Sequence, residues 1–208
     1  MRILIADDHA IVRQGVRAVL TAAYPSANIE EVEDADSLLK KSITDAWDLV
    51  ITDLTMPGRS GLEVMQQIKE NHPELPVLVL SMHPEGQYAT RVLKAGASGY
   101  VNKNAPSGDL IKAVNRVLQG RKYITPEVAE KLANDLDSQK NKLPHEKLSD
   151  REFEVMKLIA SGKSVLVVAD QLSLSSSTVS TYRARILEKM NLDNNAELTR
   201  YALDNGLI

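Results

Sequence analysis

The chain of 208 residues contains no cysteine, which excludes disulfides, thiolate zinc sites and thiol nucleophiles while leaving the compartment open on that ground. It is not basic in bulk either. A formal net charge of −3 means that any nucleic-acid surface has to be a local patch. Long apolar runs are missing as well: Arg2-Ile-Leu-Ile-Ala6 meets Asp7-Asp8 too soon for a signal peptide, and no later stretch approaches a membrane span. The expectation is a cytoplasmic protein without a membrane partner. The four histidines are scattered, with no metal-site spacing, so His9 and His83 read as loop residues. Internal repeats and low-complexity tracts are lacking. A chain of this length accommodates one large domain or two small ones.

The informative stretch is Asp48-Leu-Val-Ile-Thr-Asp53-Leu-Thr-Met-Pro57. Leu49, Val50 and Ile51 form a short apolar run bounded by Asp48 and by Pro57-Gly58, the pattern of a fully buried strand in a parallel sheet. That strand delivers Asp53 to its carboxyl end, where an ionised group is costly to bury alone. Around it, strands are expected at 3–6, 28–32, 76–81 and 98–101. Helices are expected from Ala10, over 35–43, from the capping box Ser60-Gly-Leu-Glu63 through Ile68, over 87–95, and from Pro106 through Leu118. Five βα repeats imply a parallel sheet with helices on both faces and sites outside the carboxyl ends of its strands.

This arrangement places Asp7, Asp8, Asp53, Ser81 and Lys103 at one edge. Each has a bland reading by itself: a turn or cap for the Asp pair, an ordinary hydroxyl, a solvated lysine. Together they are harder to dismiss. Clustered carboxylates repel unless a cation sits among them, and Mg2+ is the natural candidate, a hard ion held by one or two carboxylates and bridging to phosphate oxygens. With a lysine and a hydroxyl near a phosphoryl group, the set suits an aspartate that is itself phosphorylated.

Asp7-Asp8, Asp53 with Met56-Pro57-Gly58, Ser81, and Gly99-Tyr100 leading to Lys103 resemble the receiver domain of bacterial response regulators. The resemblance implies a flavodoxin-like five-stranded sheet of order 2-1-3-4-5, with Asp53 phosphorylated by a sensor histidine kinase. It implies Mg2+ on Asp8, Asp53 and the backbone carbonyl of Thr55, with Asp7 acting through water. Lys103 would pair with the phosphoryl group, while Ser81 and Tyr100 act as the switch. Asn102 and Asn104 stand where a glycine or aspartate is usual.

Beyond residue 120 the pattern changes. Pro126 to Ala133 reads as a short amphipathic helix, and Asn134 to Lys147 as a polar, flexible linker interrupted by Pro144. Ser149-Asp-Arg-Glu152 is a second capping box opening a helix that Gly162 ends. Helices follow over 164–172, from a Ser175 cap to Met190, and over 196–205. Four short helices with a tight turn between the second and third suggest a helix-turn-helix. The third helix sets Ser177, Thr178, Ser180, Thr181 and Ala184 outward, flanked by Arg183, Arg185 and Lys189. Small hydroxyl residues can approach base edges, and cationic ones phosphates. Leu148-Ser-Asp-Arg-Glu152, Ile159-Ala-Ser-Gly-Lys163, Leu174 to Val179, and Glu197 to Ala202 are similar to the LuxR-type effector of the NarL/FixJ class. That resemblance implies sequence-specific binding of double-stranded DNA by the third helix, and a homodimer when phosphorylated, with the last helix, at Leu198, Tyr201 and Ala202, near the partner.

The expected organisation is thus a receiver at 1–122, a linker with a short helix at 123–147 and a DNA-binding domain at 148–208. One stretch departs from the family. Val165-Leu-Val-Val168 replaces a usual polar run, with Leu166 and Val167 at positions expected to face solvent or the DNA backbone. The change points to a lost phosphate contact, an exposed sticky patch, or a surface that docks on the receiver before phosphorylation. Two other functions fit parts of the chain: a protein-interaction switch whose effector no longer binds DNA, and a phosphotransferase or phosphatase using Asp53. The second lacks an acid/base aspartate soon after Asp53, where Thr55-Met56-Pro57 stands instead, so the chain is not expected to be an enzyme.

Overall fold

A computed structural model describes residues 1–56, 61–82, 85–137 and 143–208. The Pro57-Gly58 turn, the Ser60 cap, His83 and linker residues 138–142 lie outside them. The chain divides into two units, Met1–Asn134 and Asp135–Ile208.

The first unit alternates β1 (Arg2–Ala6), α1 (Ala10–Ala23), β2 (Asn28–Val32), α2 (Ala35–Thr44), β3 (Leu49–Thr52), α3 (Gly61–Asn71), β4 (Val77–Ser81), α4 (Glu85–Lys94), β5 (Gly99–Asn102), α5 (Ser107–Leu118) and α6 (Pro126–Asp137). The strands form one parallel sheet of order β2-β1-β3-β4-β5. Every residue of β3 and β4 is buried, as helices on both faces require, while β2 at the edge is only partly so. One face packs Val16 and Leu20 of α1 with Leu110, Ala113, Val114 and Val117 of α5 over Ile3, Ile5, Leu49, Ile51, Leu78 and Leu80. Each of the valine, leucine and isoleucine side chains contributes roughly 1.5–3 kcal/mol by leaving water.

Register builds the site. Ala6 pairs with Thr52, and Ser81 with Asn102. The residues that follow each strand therefore emerge side by side: Asp7 beside Asp53, and Lys103 just past Ser81. At the start of α3, Gly61 donates its N–H to Leu54 O at 3.1 Å. A Cβ there would lie 2.7 Å from the carbonyl oxygens of Asp53 and Leu54, so this close approach admits glycine alone without a backbone shift.

In the second unit are a 3₁₀ turn, Pro144–Lys147, and helices α7 (Asp150–Ala160), α8 (Val165–Gln171), α9 (Ser176–Met190) and α10 (Asn195–Asp204). The capping box is formed in full: Ser149 Oγ accepts from Glu152 N at 3.3 Å, and Glu152 Oε2 accepts from Ser149 N at 2.7 Å. Phe153, Val155, Met156, Ile159, Val168, Val179, Ile186, Met190, Leu198 and Ala202 are buried. Arg151, itself buried, donates to Leu172 O at 2.8 Å and so ties α7 to the end of α8. The tight turn between α8 and α9 holds Ser173 at φ 52°, a left-handed conformation usual for glycine or asparagine.

The segment expected to be a flexible linker, 134–147, has structure at both ends. α6 carries on into it as far as Asp137; ahead of that helix, Tyr123 bridges to Gly99 and donates its N–H to Ser98 O at 2.9 Å. At the far end, His145 Nδ1 lies 2.8 Å from the Tyr201 hydroxyl, with its ring 6.1 Å from that of Phe153. Aromatic contacts made by a single histidine leave no periodic trace in a polar sequence, which is why composition misses them.

Candidate functional site

At the carboxyl edge of the sheet, Lys103 Nζ stands 2.6 Å from Asp7 Oδ2 and 2.7 Å from Asp53 Oδ2. All three side chains are almost fully buried, with 6 %, 3 % and 5 % of their surface exposed. The lysine is aimed by the turn after β5, in which Asn104 N donates to Asn102 Oδ1 at 2.8 Å and Lys103 N to Ser81 O at 2.9 Å. Asp53 Oδ1 accepts from Leu54 N at 2.6 Å. On the other side of Asp7, Arg13 Nη1 donates to its backbone oxygen at 2.6 Å. His9, the residue before α1, donates its backbone N–H to Asp7 Oδ1 at 2.9 Å, and its ring Nδ1 is 2.7 Å from Asp8 Oδ1 and 3.3 Å from Asp7 Oδ1. Ser81 and Tyr100 are both buried.

Burial is the main cause that raises the Asp53 carboxyl above its ordinary pKa. The Lys103 ammonium and the Thr55 backbone amide oppose the rise, and the Asp7 charge adds to it. For Lys103, burial alone would pull the amine down; the ion pairs with Asp53 and Asp7 outweigh it and raise the pKa, keeping the ammonium charged. Two buried carboxylates thus share one cation. Asp7, Asp8, Asp53 and His9 each offer a donor atom, all within 4.8 Å of one another. Carboxylate oxygens dominate this set, which fits a hard divalent cation.

In the second unit, α9 begins at Ser175, whose Oγ accepts from Thr178 N at 3.1 Å. Ser177, Thr178, Thr181, Tyr182 and Arg185 line a shallow hollow of about 300 Å³ on this helix. The Ser180 and Thr181 hydroxyls donate back to the carbonyls of Ser176 and Ser177 at 2.9 and 3.0 Å. Ala184 is exposed. On α8, Leu166 and Val167 are 71 % and 46 % exposed, so this apolar pair lies on the surface of its unit.

Two family models match the chain, the response regulator receiver domain over residues 3–115 and the luxR family of bacterial regulatory proteins over 146–202. Together they decide the family. The chain belongs to the response regulators, as a NarL/FixJ-class member with a receiver and a LuxR-type DNA-binding domain. Among its relatives, the response regulator UvrY of Escherichia coli K12 is 33 % identical over 208 residues, covering 100 % of this chain and 95 % of that one. GacA of Pseudomonas viridiflava is 34 % identical over 209 residues, covering 100 % and 98 %. A solved structure of RcsB from Salmonella enterica serovar Typhimurium, bound to the promoter rprA in the presence of the phosphomimetic BeF3-, aligns with a TM-score of 0.66 at 30 % identity, covering 97 % of this chain and 98 % of that one.

In this response regulator, the fold brings Asp7, Asp8, Asp53 and Lys103 together, with Ser81 at the end of the neighbouring strand. Thr55 follows on the exposed loop. Two of the basic residues on α9 make contacts within their own unit. Lys189 Nζ lies 2.7 Å from the buried carboxylate of Glu152, so it straps α9 to α7 rather than standing free beside the hydroxyl face. Arg183 Nε donates to Asn195 Oδ1 at 2.7 Å, which engages one of its five N–H groups within the unit. Arg185 has no such partner among the described residues. Sequence reasoning also missed Tyr182, which lines the hollow, and the contacts of His9 with Asp7 and Asp8. Adjacency to the acid pair was the available signal for His9, and helical spacing from Thr178 for Tyr182.

Proposed function

We propose that Asp53 is the phosphoacceptor of this response regulator and that its phosphorylation by a sensor histidine kinase controls DNA binding by α9. The supporting observation is the Asp53 carboxylate at the end of a fully buried strand, paired with a buried lysine that it shares with Asp7. An Asp53 oxygen attacks the phosphorus of a phosphohistidine as the phosphorus–nitrogen bond breaks; the bonding pair goes to the kinase imidazole, leaving an acyl phosphate on Asp53. Lys103, already at hydrogen-bond distance from Asp53, transfers its N–H groups to the new phosphoryl oxygens. Asp8, Asp53 and the Thr55 carbonyl, with Asp7 through water, would hold Mg2+, which would supply positive charge for the incoming phosphoryl group. The Ser81 hydroxyl, at the end of β4, is placed to meet it, and the buried Tyr100 follows Ser81. Near-complete switching between two states requires a differential of roughly 5.5 kcal/mol.

The chain acts as an acceptor rather than as an enzyme turning over a substrate. In the cytoplasm its partners are the kinase, double-stranded DNA and, when phosphorylated, a second copy of itself. Among the described residues, no helix is long and apolar enough to cross a membrane. On α9, Ser177, Thr178, Ser180, Thr181 and Ala184 meet base edges, and Arg185 holds phosphate. The RcsB structure, solved on a promoter with a phosphomimetic, supports both halves of the reading. The test is selection from a pool of random duplexes with and without a small-molecule phosphodonor and Mg2+, with Asp53→Asn as the control. A motif enriched more strongly with phosphodonor in the wild type alone supports it. Folded protein that selects no sequence in either state refutes the DNA-binding half and favours a protein partner at Leu166 and Val167.

A further inference from the structure

We infer that His9 is a nitrogen ligand to the ion in the acidic pocket, giving this receiver a preference for a transition ion of the Mn2+ class over Mg2+; the inference rests on the pocket binding a divalent cation at all. The two oxygens of Asp7 are divided between two directions. Oδ2 faces Lys103 at 2.6 Å, so this oxygen is taken by an ammonium. Oδ1 accepts the His9 backbone N–H and lies 3.3 Å from the His9 ring nitrogen. A cation held directly by Asp8 Oδ1, with Asp7 Oδ1 reached through water, would meet the oxygens that the His9 ring already touches, at 2.7 Å for Asp8 Oδ1 and 3.3 Å for Asp7 Oδ1.

The backbone of His9 is held there: its N–H is bonded to Asp7 Oδ1 at 2.9 Å, and the next residue begins α1, so the ring stays within reach of the acid pair by side-chain rotation alone. Neighbouring donors on an ion with bonds near 2.1 Å stand about 3 Å apart. The His9 nitrogen thus already stands within a few tenths of an ångström of that spacing from both oxygens, and a turn of the exposed ring would exchange its hydrogen bond with a carboxylate for a bond to the ion. With 66 % of the side chain exposed, water can complete the coordination shell. Magnesium prefers oxygen and keeps its waters, whereas affinity for imidazole nitrogen is greater in the first-row transition series.

The experiment uses Mn2+ as the probe on the full chain, read by pulsed electron paramagnetic resonance and by titration against Mg2+. The expected result is imidazole nitrogen modulation of the Mn2+ signal in the wild type and its loss in His9→Ala, with the ratio of Mn2+ to Mg2+ affinity falling roughly tenfold or more. Lys103 remains in that variant, so the lost signal cannot come from its amine. Mn2+ bound without nitrogen modulation in the wild type, or an affinity ratio unchanged by His9→Ala, overturns the inference and leaves the oxygen site standing. If neither ion binds, or if binding is indifferent to both Asp8→Asn and Asp53→Asn, the pocket reading falls and takes the inference with it.

Discussion

Replacing Lys103 by methionine removes the single cation between two buried carboxylates. Their oxygens, each within 2.7 Å of the ammonium, lie no more than about 5 Å apart, and at an effective dielectric of about 20 that pair repels by roughly 3 kcal/mol. Desolvation without a partner adds to this, and broken buried pairs usually cost about 3–5 kcal/mol. The fold has one escape, which is to bind a proton. At pH 7, protonating a carboxyl of ordinary pKa near 4 costs about 4 kcal/mol, and at pH 5 about 1.5 kcal/mol. The destabilisation should therefore reach roughly 3–4 kcal/mol at neutral pH and shrink to about half or less at pH 5. The direction follows from linkage: in the variant the folded carboxyl pKa stands above the unfolded one, so stability is retained below the unfolded value and lost as pH rises through the folded value. The assay is urea unfolding with a chelator present. The single tryptophan, Trp47, reports on the first unit alone, because its Nε1 is bonded to Lys41 O at 2.9 Å and Arg2 lies over its ring at 4.4 Å. Equal stability of variant and wild type at pH 7, or a cost independent of pH, would refute the claim that Lys103 holds two ionised carboxylates.

In the second unit, Glu152→Gln should cost about 1–3 kcal/mol, because Glu152 Oε2 both closes the capping box and receives Lys189. Burial alone would raise this carboxyl, but the bonds from Lys189 and Ser149 leave its pKa lowered; the stabilisation is thus present above the unfolded pKa and lost as pH falls through the folded one, which far-UV circular dichroism of wild type and variant across acid pH would follow. Arg185→Ala should weaken DNA binding across all sequences and reduce the salt slope by about one. Lys189→Met should leave that slope unaltered, since its ammonium is engaged by Glu152; an equal loss of slope in both variants would place Lys189 at the DNA. Gly61→Ala has to push the start of α3 away from the Asp53 carbonyl, so the phosphoacceptor strand end shifts; slower labelling of Asp53 by a small phosphodonor is expected, and an unchanged rate would show that the loop absorbs the methyl group.

What could be read in advance followed from local chemistry. Runs such as Leu49 to Ile51 and Val77 to Leu80 have only one economical fate, a strand buried on both faces, and the helical spacing of Val12, Val16 and Val19 has another. A carboxylate at the end of such a strand needs partners whatever the surrounding fold. The Ser149 and Glu152 capping box is legible for the same reason, since the two residues satisfy each other within one turn.

The sequence by itself therefore determined the element order, the βα repetition, the four-helix second unit and the residue types at the carboxyl edge, because periodicity, caps and the cost of burying charge act over a few neighbouring positions. Tertiary structure decided the partners. Parallel register set Asp7 beside Asp53, and the turn at Asn102 swung one lysine between them. Packing of α9 on α7 drew Lys189 onto Glu152 and left Arg185 without a partner among the described residues, although the three basic residues of that helix look alike in the sequence. His145 met Tyr201 across 56 positions of chain. Contacts of that range depend on which surfaces the whole fold brings face to face, and no local pattern encodes them.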